Sequence, residues 1–269
     1  VELTYNLMRT FVAGLAFAMP FSLVYQMMSD RMKGLQKSEK VIKGLPFAAG
    51  FTAGTAVSIA GNMHYVIYAQ IIPLIEKLTG KEVSSYWFPD ATRYIGYNPY
   101  REEDRTIHEF PCYSFVLGDL HAHVVNIMFV LLVIALLYVW LRGVRKKTVP
   151  VETSMKDGKF WKEQLLMPHL LVISALLGMF QWTNFWDFVI YYVVTLGTVL
   201  FANIIRFQGK IKKIMFVTFA QMAEIYLLAY LVILPFTLQF DTMVDGIGIA
   251  KYHSYFYPVS YTHLTLPTI

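Results

Sequence analysis

Six apolar stretches dominate the chain, at roughly 7–28, 45–63, 114–141, 165–182, 185–205 and 214–235. Each comes near the ~20 residues that a helix needs to cross a hydrocarbon core of ~30 Å. None alternates apolar and polar positions over its length, and backbone groups in lipid must find partners within their own segment. The pattern therefore predicts helices. The expected fold is all-α, a polytopic transmembrane bundle of about six spans. Pro20 should kink the first span, and Pro235 should end the last.

The polar stretches between the spans orient them. Loop 30–43 carries five Lys/Arg against two acids, loop 142–163 seven against three, and loop 206–213 four against none. If successive spans alternate in direction, these loops share one side, and the positive-inside rule makes that side cytoplasmic in a multi-pass plasma-membrane protein. The other side receives loop 64–113, the tight turn Gln181–Asp187 and the segment after Pro235. Loop 64–113 has five basic and seven acidic residues, so it shows no positive bias. Within it, His64–Ile75 is amphipathic. That stretch reads either as an interfacial helix or as the outer end of the second span.

Composition narrows the class further. Hydrophobic residues make up 56% and charged residues 15%, against roughly a quarter charged in soluble domains. The net charge of +5 would suit nucleic acid, but the cations sit in short loops beside spans, so the partner they imply is the lipid bilayer and no nucleic acid. Cys112 is the single cysteine and permits no internal disulfide. The chain contains no Gly-rich phosphate loop, no G-x-S-x-G and no H-E-x-x-H. Both ends look artificial. Val1 is no initiator, and Val259–Thr268 (VSYTHLTLPT) is what a common sequencing adapter yields on translation. We therefore expect a helical domain over 1–258, incomplete at both ends, followed by a non-native tail over 259–269.

Ionisable residues concentrate at the predicted outer boundary. Ile107–Val124 (IHEFPCYSFVLGDLHAHV) carries Glu109, then Asp119, His121 and His123 running directly into a span. Such groups are expensive against lipid and should face the bundle interior or a wet cavity. In an unbroken helix Asp119 and His123 would share a face, with His121 pointing elsewhere. If Gly118 opens an extended segment, all three would project together, and helix from Val124 to Leu141 would still cover about 27 Å. That arrangement could hold a divalent metal through Asp119, His121 and His123, or a phosphate; no cofactor follows with certainty. The bland alternative is a set of interhelical hydrogen bonds. Asp187 opens a span inside an aromatic turn, where it gains from the helix dipole or joins a pocket beside Asp119. Trp182, Asn184 and Trp186 flank it, as an aromatic belt or as substrate contacts. Asp90 could cap a short helix, and Arg93 is well suited to an anionic group. Gln221 and Glu224 lie mid-span in the last helix, as functional groups or as hydrogen-bond partners of another helix.

Tyr86–Arg93 (YWFPDATR), Thr106–His123 (TIHEFPCYSFVLGDLHAH) and Asn184–Tyr191 (NFWDFVIY) resemble the YYY family of membrane proteins. Thr4–Leu7 (TYNL) is similar to the stretch just after that family's namesake tyrosine motif. Val189 departs from the pattern, which tends to have proline after W-D-F. The family is in turn similar to the GT-C integral membrane glycosyltransferases, which take a sugar from a polyprenyl-phosphate carrier on the extracytoplasmic side. The resemblance implies a GT-C-like bundle with an outward polar cavity near a lipid-phosphate site, and part of that site upstream of Val1. The catalytic candidates are then Asp119, Glu109, His121, His123 and Asp187. The substrate-binding candidates are Asp90, Arg93, Trp182, Asn184 and Trp186, and the donor is a polyprenyl-phosphate sugar. The rival readings are a transporter or flippase of a lipid-linked or anionic solute, and a structural membrane subunit.

Overall fold

The computed structural model describes residues 2–33, 35, 39–61, 63–92, 97–98, 101–105, 109–146 and 155–240. Arg93, Asp241, Asp245 and the expected tail over 259–269 lie outside them. The described chain forms two compact units, one up to Val124 and the other from Val125 onward. It is an all-α membrane bundle, with one short antiparallel ribbon (β1, Tyr97–Asn98; β2, Arg101–Arg105) as its only described strands.

In the first unit, α1 (Glu2–Met32) and α2 (Glu39–Ser58) pack along one another. Pro20 lies buried inside α1 without ending it. Gly50 faces Phe21 and Gly54 faces Phe17, so the later part of α2 meets the earlier part of α1 and the pair is antiparallel. A Cβ at either glycine would stand 2.8 Å from a carbonyl oxygen of α1, so small residues are what let the two backbones approach. Phe17, Phe21, Phe47 and Phe51 interlock around this seam, with ring centroids 5.6–6.4 Å apart.

The chain breaks after α2. It resumes as a π-helical turn (Val66–Ile71) that continues into α3 (Ile72–Leu78). The amphipathic stretch is thus a helix separate from α2, largely exposed. A 3-10 turn (Phe88–Thr92) follows, then the ribbon and α4 (Pro111–Leu117).

The stretch expected as one span over 114–141 is divided. Gly118 adopts φ +74°, and the N–H groups of Gly118 and Asp119 both reach the Ser114 carbonyl, which closes α4. Three non-helical residues follow before α5 (Ala122–Lys146) begins. Apolar runs flank this joint on both sides, so they merge into one stretch although Gly118, Asp119 and His121 interrupt them.

The second unit holds the rest of α5, then α6 (Gly158–Leu165), α7 (Pro168–Thr183), α8 (Phe185–Phe207) and α9 (Ile211–Thr237). Asp157 caps α6 by accepting the Lys159 N–H at 2.9 Å. α7, α8 and α9 pack on one another. Pro235 stands two residues before the end of α9. Among the described residues, α1, α5, α8 and α9 are long and apolar enough to cross a membrane, and the α6–α7 pair, bent by 52°, makes a fifth if it is one broken span. α2 is not among them, because Lys43, Pro46 and its glycines dilute its apolar character. Four or five spans therefore qualify by length and composition, rather than six.

Candidate functional site

The site grows from the αL turn at Gly118. Because the chain leaves the helix there, Asp119 and His121 can turn toward one another, and the imidazole Nε2 of His121 lies 3.1 Å from Asp119 Oδ2. Glu109 stands just before α4, and its Oε2 lies 3.2 Å from the same nitrogen. Carboxylates from both flanks of a seven-residue helix thus meet on one imidazole. The ring of His123 stacks beside that of His121, with centroids 5.6 Å apart and planes within 11°. Glu109 and His121 are partly shielded, while Asp119 is more open to solvent.

α1 completes the arrangement, which the sequence reading missed. The Tyr5 hydroxyl accepts the Leu120 N–H at 3.0 Å, satisfying a backbone donor in the non-helical joint. One turn further on, the half-buried guanidinium of Arg9 lies against Gly118, in space that a side chain at 118 would need. Among the described residues no carboxylate stands within ion-pair distance of Arg9. Two acids, two imidazoles and a cation are therefore gathered where α1 meets the α4–α5 joint. Tyr5 lies within the TYNL stretch and Arg9 follows at i+4, on the same helical face. That spacing was the available signal.

A second polar cluster lies beside α4. His64 Nδ1 and the Tyr86 hydroxyl are 3.0 Å apart, with Asp90 close enough to act on both. Burial lowers the His64 pKa below its ordinary value, opposed by the Asp90 charge. Burial also raises that of Tyr86, and here Asp90 adds to the effect. Asp90 sits inside the 3-10 turn rather than ahead of a short helix that it would cap, and Thr92 donates to the Pro89 carbonyl at 2.8 Å.

Asp187 occupies the second unit. It is buried, and its Oδ2 accepts from the amides of Asn126, at 2.7 Å, and Asn184, at 3.0 Å. Asn126 is fully buried in α5 and escaped the sequence reading; its position three residues after His123 was the only hint. Trp182 and Trp186 project outward, as belt residues do. Gln221 is buried in a network that links α6, α8 and α9. Its Oε1 accepts from Asn203, and its Nε2 donates to the Gln164 carbonyl. Arg206 joins that network by donating to Gln164 Oε1 and Asn203 Oδ1. One carboxylate oxygen of Glu224 is buried without a partner.

The metal reading fits poorly. Among the described residues no group of three or more His, Cys, Asp and Glu is arranged to share an ion. His121 instead directs Nε2 to two carboxylates. The fold, with four or five helices long and apolar enough to cross a membrane among the described residues, defines a multi-pass helical membrane protein. More specifically, the chain belongs to a family of uncharacterised membrane proteins, DUF2298, whose model matches residues 1–265. No curated protein and no solved structure matches the chain.

Proposed function

We propose that the protein is a glycosyltransferase-like membrane enzyme that takes a sugar from a polyprenyl-phosphate carrier at the extracytoplasmic face. The observation that carries this reading is the convergence of Glu109 and Asp119 on His121 Nε2, with the Arg9 guanidinium against the adjoining Gly118. An acceptor hydroxyl attacks the anomeric carbon of the sugar and gives its proton to a carboxylate of the pair, Asp119 being the more accessible. The bond from that carbon to the phosphate oxygen breaks, and the polyprenyl phosphate leaves with the electron pair. Arg9 offsets the charge gathering on the departing phosphate, and the His121 imidazole stands beside it as a hydrogen-bonding group. His123 flanks that position, and Asp90 and Arg93 remain candidates for binding the sugar phosphate.

The reading requires α2, less apolar than the other spans, to cross the membrane beside the antiparallel α1; loops 30–43, 142–163 and 206–213 would then face the cytoplasm of a plasma-membrane protein. Asp187, Asn184, Trp182 and Trp186 then belong to the outer boundary. The test is transfer of labelled sugar from a polyprenyl-phosphate donor by membranes that contain the protein. Asp119→Asn and His121→Ala should each reduce it at least roughly a hundredfold, the order expected of a lost general base or a lost charge-stabilising group. Wild-type rates in both variants would end the proposal.

A further inference from the structure

Beside α4, Met63, Tyr65, Phe88, Phe110, Cys112 and Val116 help to enclose a cavity of about 540 Å³. That volume lies within the range of ~300–1,000 Å³ usual for small-molecule sites. Among the described residues its lining contains no charged side chain. Of the three hydroxyl-bearing residues on the wall, Thr92 donates to the Pro89 carbonyl and Tyr65 accepts from the Gln70 amide, leaving the hydroxyl of Tyr113. Phe88 and Tyr113 stack at 5.2 Å, nearly parallel, and stiffen one side. A guest in this space gains by burying methylene groups and finds little to hydrogen-bond.

The polar cluster begins at the residues adjoining this lining. Glu109 directly precedes Phe110, and the helix that supplies Cys112 and Val116 ends at Gly118, against Arg9. An apolar chamber with cationic and acidic groups at the ends of its own wall suits an amphiphile rather than a sugar or a peptide.

We propose that this cavity binds the hydrocarbon chain of a single-chain lipid phosphate, with the phosphate toward Arg9. The inference uses the same end of the unit as the function proposed above but requires no transfer chemistry. Cys112, the single cysteine, lies in the wall and reports occupancy directly. Protein in nanodiscs is treated with a maleimide after addition of farnesyl phosphate, dodecyl phosphate, hexyl phosphate or inorganic phosphate.

Farnesyl and dodecyl phosphate should slow labelling of Cys112 at least tenfold. Hexyl phosphate should act only at much higher concentration, because each buried methylene tightens binding roughly fourfold. Inorganic phosphate should give no protection. Val116→Trp, at an exposed position on α4, should fill the mouth and remove protection by the long chains while the protein stays folded. Protection by dodecyl but not farnesyl phosphate would leave the cavity proposal standing and count against a polyprenyl donor. No protection by either long chain, or protection untouched by Val116→Trp, would overturn it whatever the transfer assay shows.

Discussion

Gly118→Ala tests whether the αL turn and Arg9 act together. The backbone there has φ +74°, which costs a residue with a Cβ about 1–2 kcal/mol. The added methyl would also overlap the Arg9 guanidinium, but that group ends a flexible side chain and can swing aside at small cost. The expected stability loss is therefore the backbone cost alone, about 1–2 kcal/mol, whether Arg9 is kept or replaced by alanine. The functional loss should behave differently. If Arg9 supplies a charge-assisted hydrogen bond worth about 1.5–3 kcal/mol, its displacement weakens binding of farnesyl phosphate by roughly 10- to 150-fold. Arg9→Ala removes the same interaction, so the double variant should bind no worse than either single one. Stability is read from thermal unfolding in detergent, and binding from protection of Cys112. Losses in binding that multiply in the double variant would show that Gly118 does not act through Arg9. Unchanged stability in Gly118→Ala would refute the backbone argument.

Other perturbations separate the elements. Asp187→Ala leaves the fully buried Asn126 amide without its acceptor and should destabilise the second unit by about 1–3 kcal/mol in chemical unfolding. Equal stability of the variant and the wild type would refute that role. Gly54→Leu places a side chain where a Cβ already meets the Phe17 carbonyl at 2.8 Å, and should separate α1 from α2. Retention of a disulfide engineered between the two helices would contradict this. His64 has its folded pKa lowered by burial, against partial opposition from Asp90, so the unfolded state takes up the proton first. Its contribution to stability should be complete above its ordinary value of 6.5 and decline as pH falls from there through the folded pKa. His64→Gln should abolish that decline in unfolding scans, and Asp90→Asn should extend it to lower pH.

What could be read from the sequence depended on how far apart the interacting residues lie. The spans expected over 165–182, 185–205 and 214–235 correspond to α7, α8 and α9 within a few residues, because their apolar runs end at prolines, an asparagine cap or a basic loop. Asp119, His121 and His123 were legible as a group, since a single glycine decides between the helical and extended alternatives. The non-helical one is realised over 119–121 only, and His123 lies inside α5, which starts two residues before the expected Val124. Asp187 was legible as a helix-opening carboxylate, but its partner Asn126 lies 61 residues earlier, and nothing local marks the pair. Arg9 carried no more than its i+4 spacing from Tyr5 as a signal, for the same reason. The Tyr5 hydroxyl and the Leu120 N–H are 115 positions apart, and only the packed structure brings them together. α2 is the least apolar of the expected spans because its glycines serve the seam with α1.

That seam bears on the chemistry. Since α2 runs back along α1, its last residues return toward the end of the pair where Tyr5 and Arg9 stand. Ile59, Ala60 and Gly61 then form part of the cavity wall, and α4 packs near α2. A helix of seven residues, about 10 Å long, is thus held at several points. Glu109 and Asp119 tie its flanks to one imidazole, Ser114 is fully buried, and Cys112, Tyr113 and Val116 line the cavity. Rotation of α4 would break the ion-pair geometry and reshape the cavity together. The acid–imidazole cluster therefore does more than present titratable groups: it fixes the orientation of the helix that forms the apolar wall, coupling the polar and apolar halves of the site through one short element.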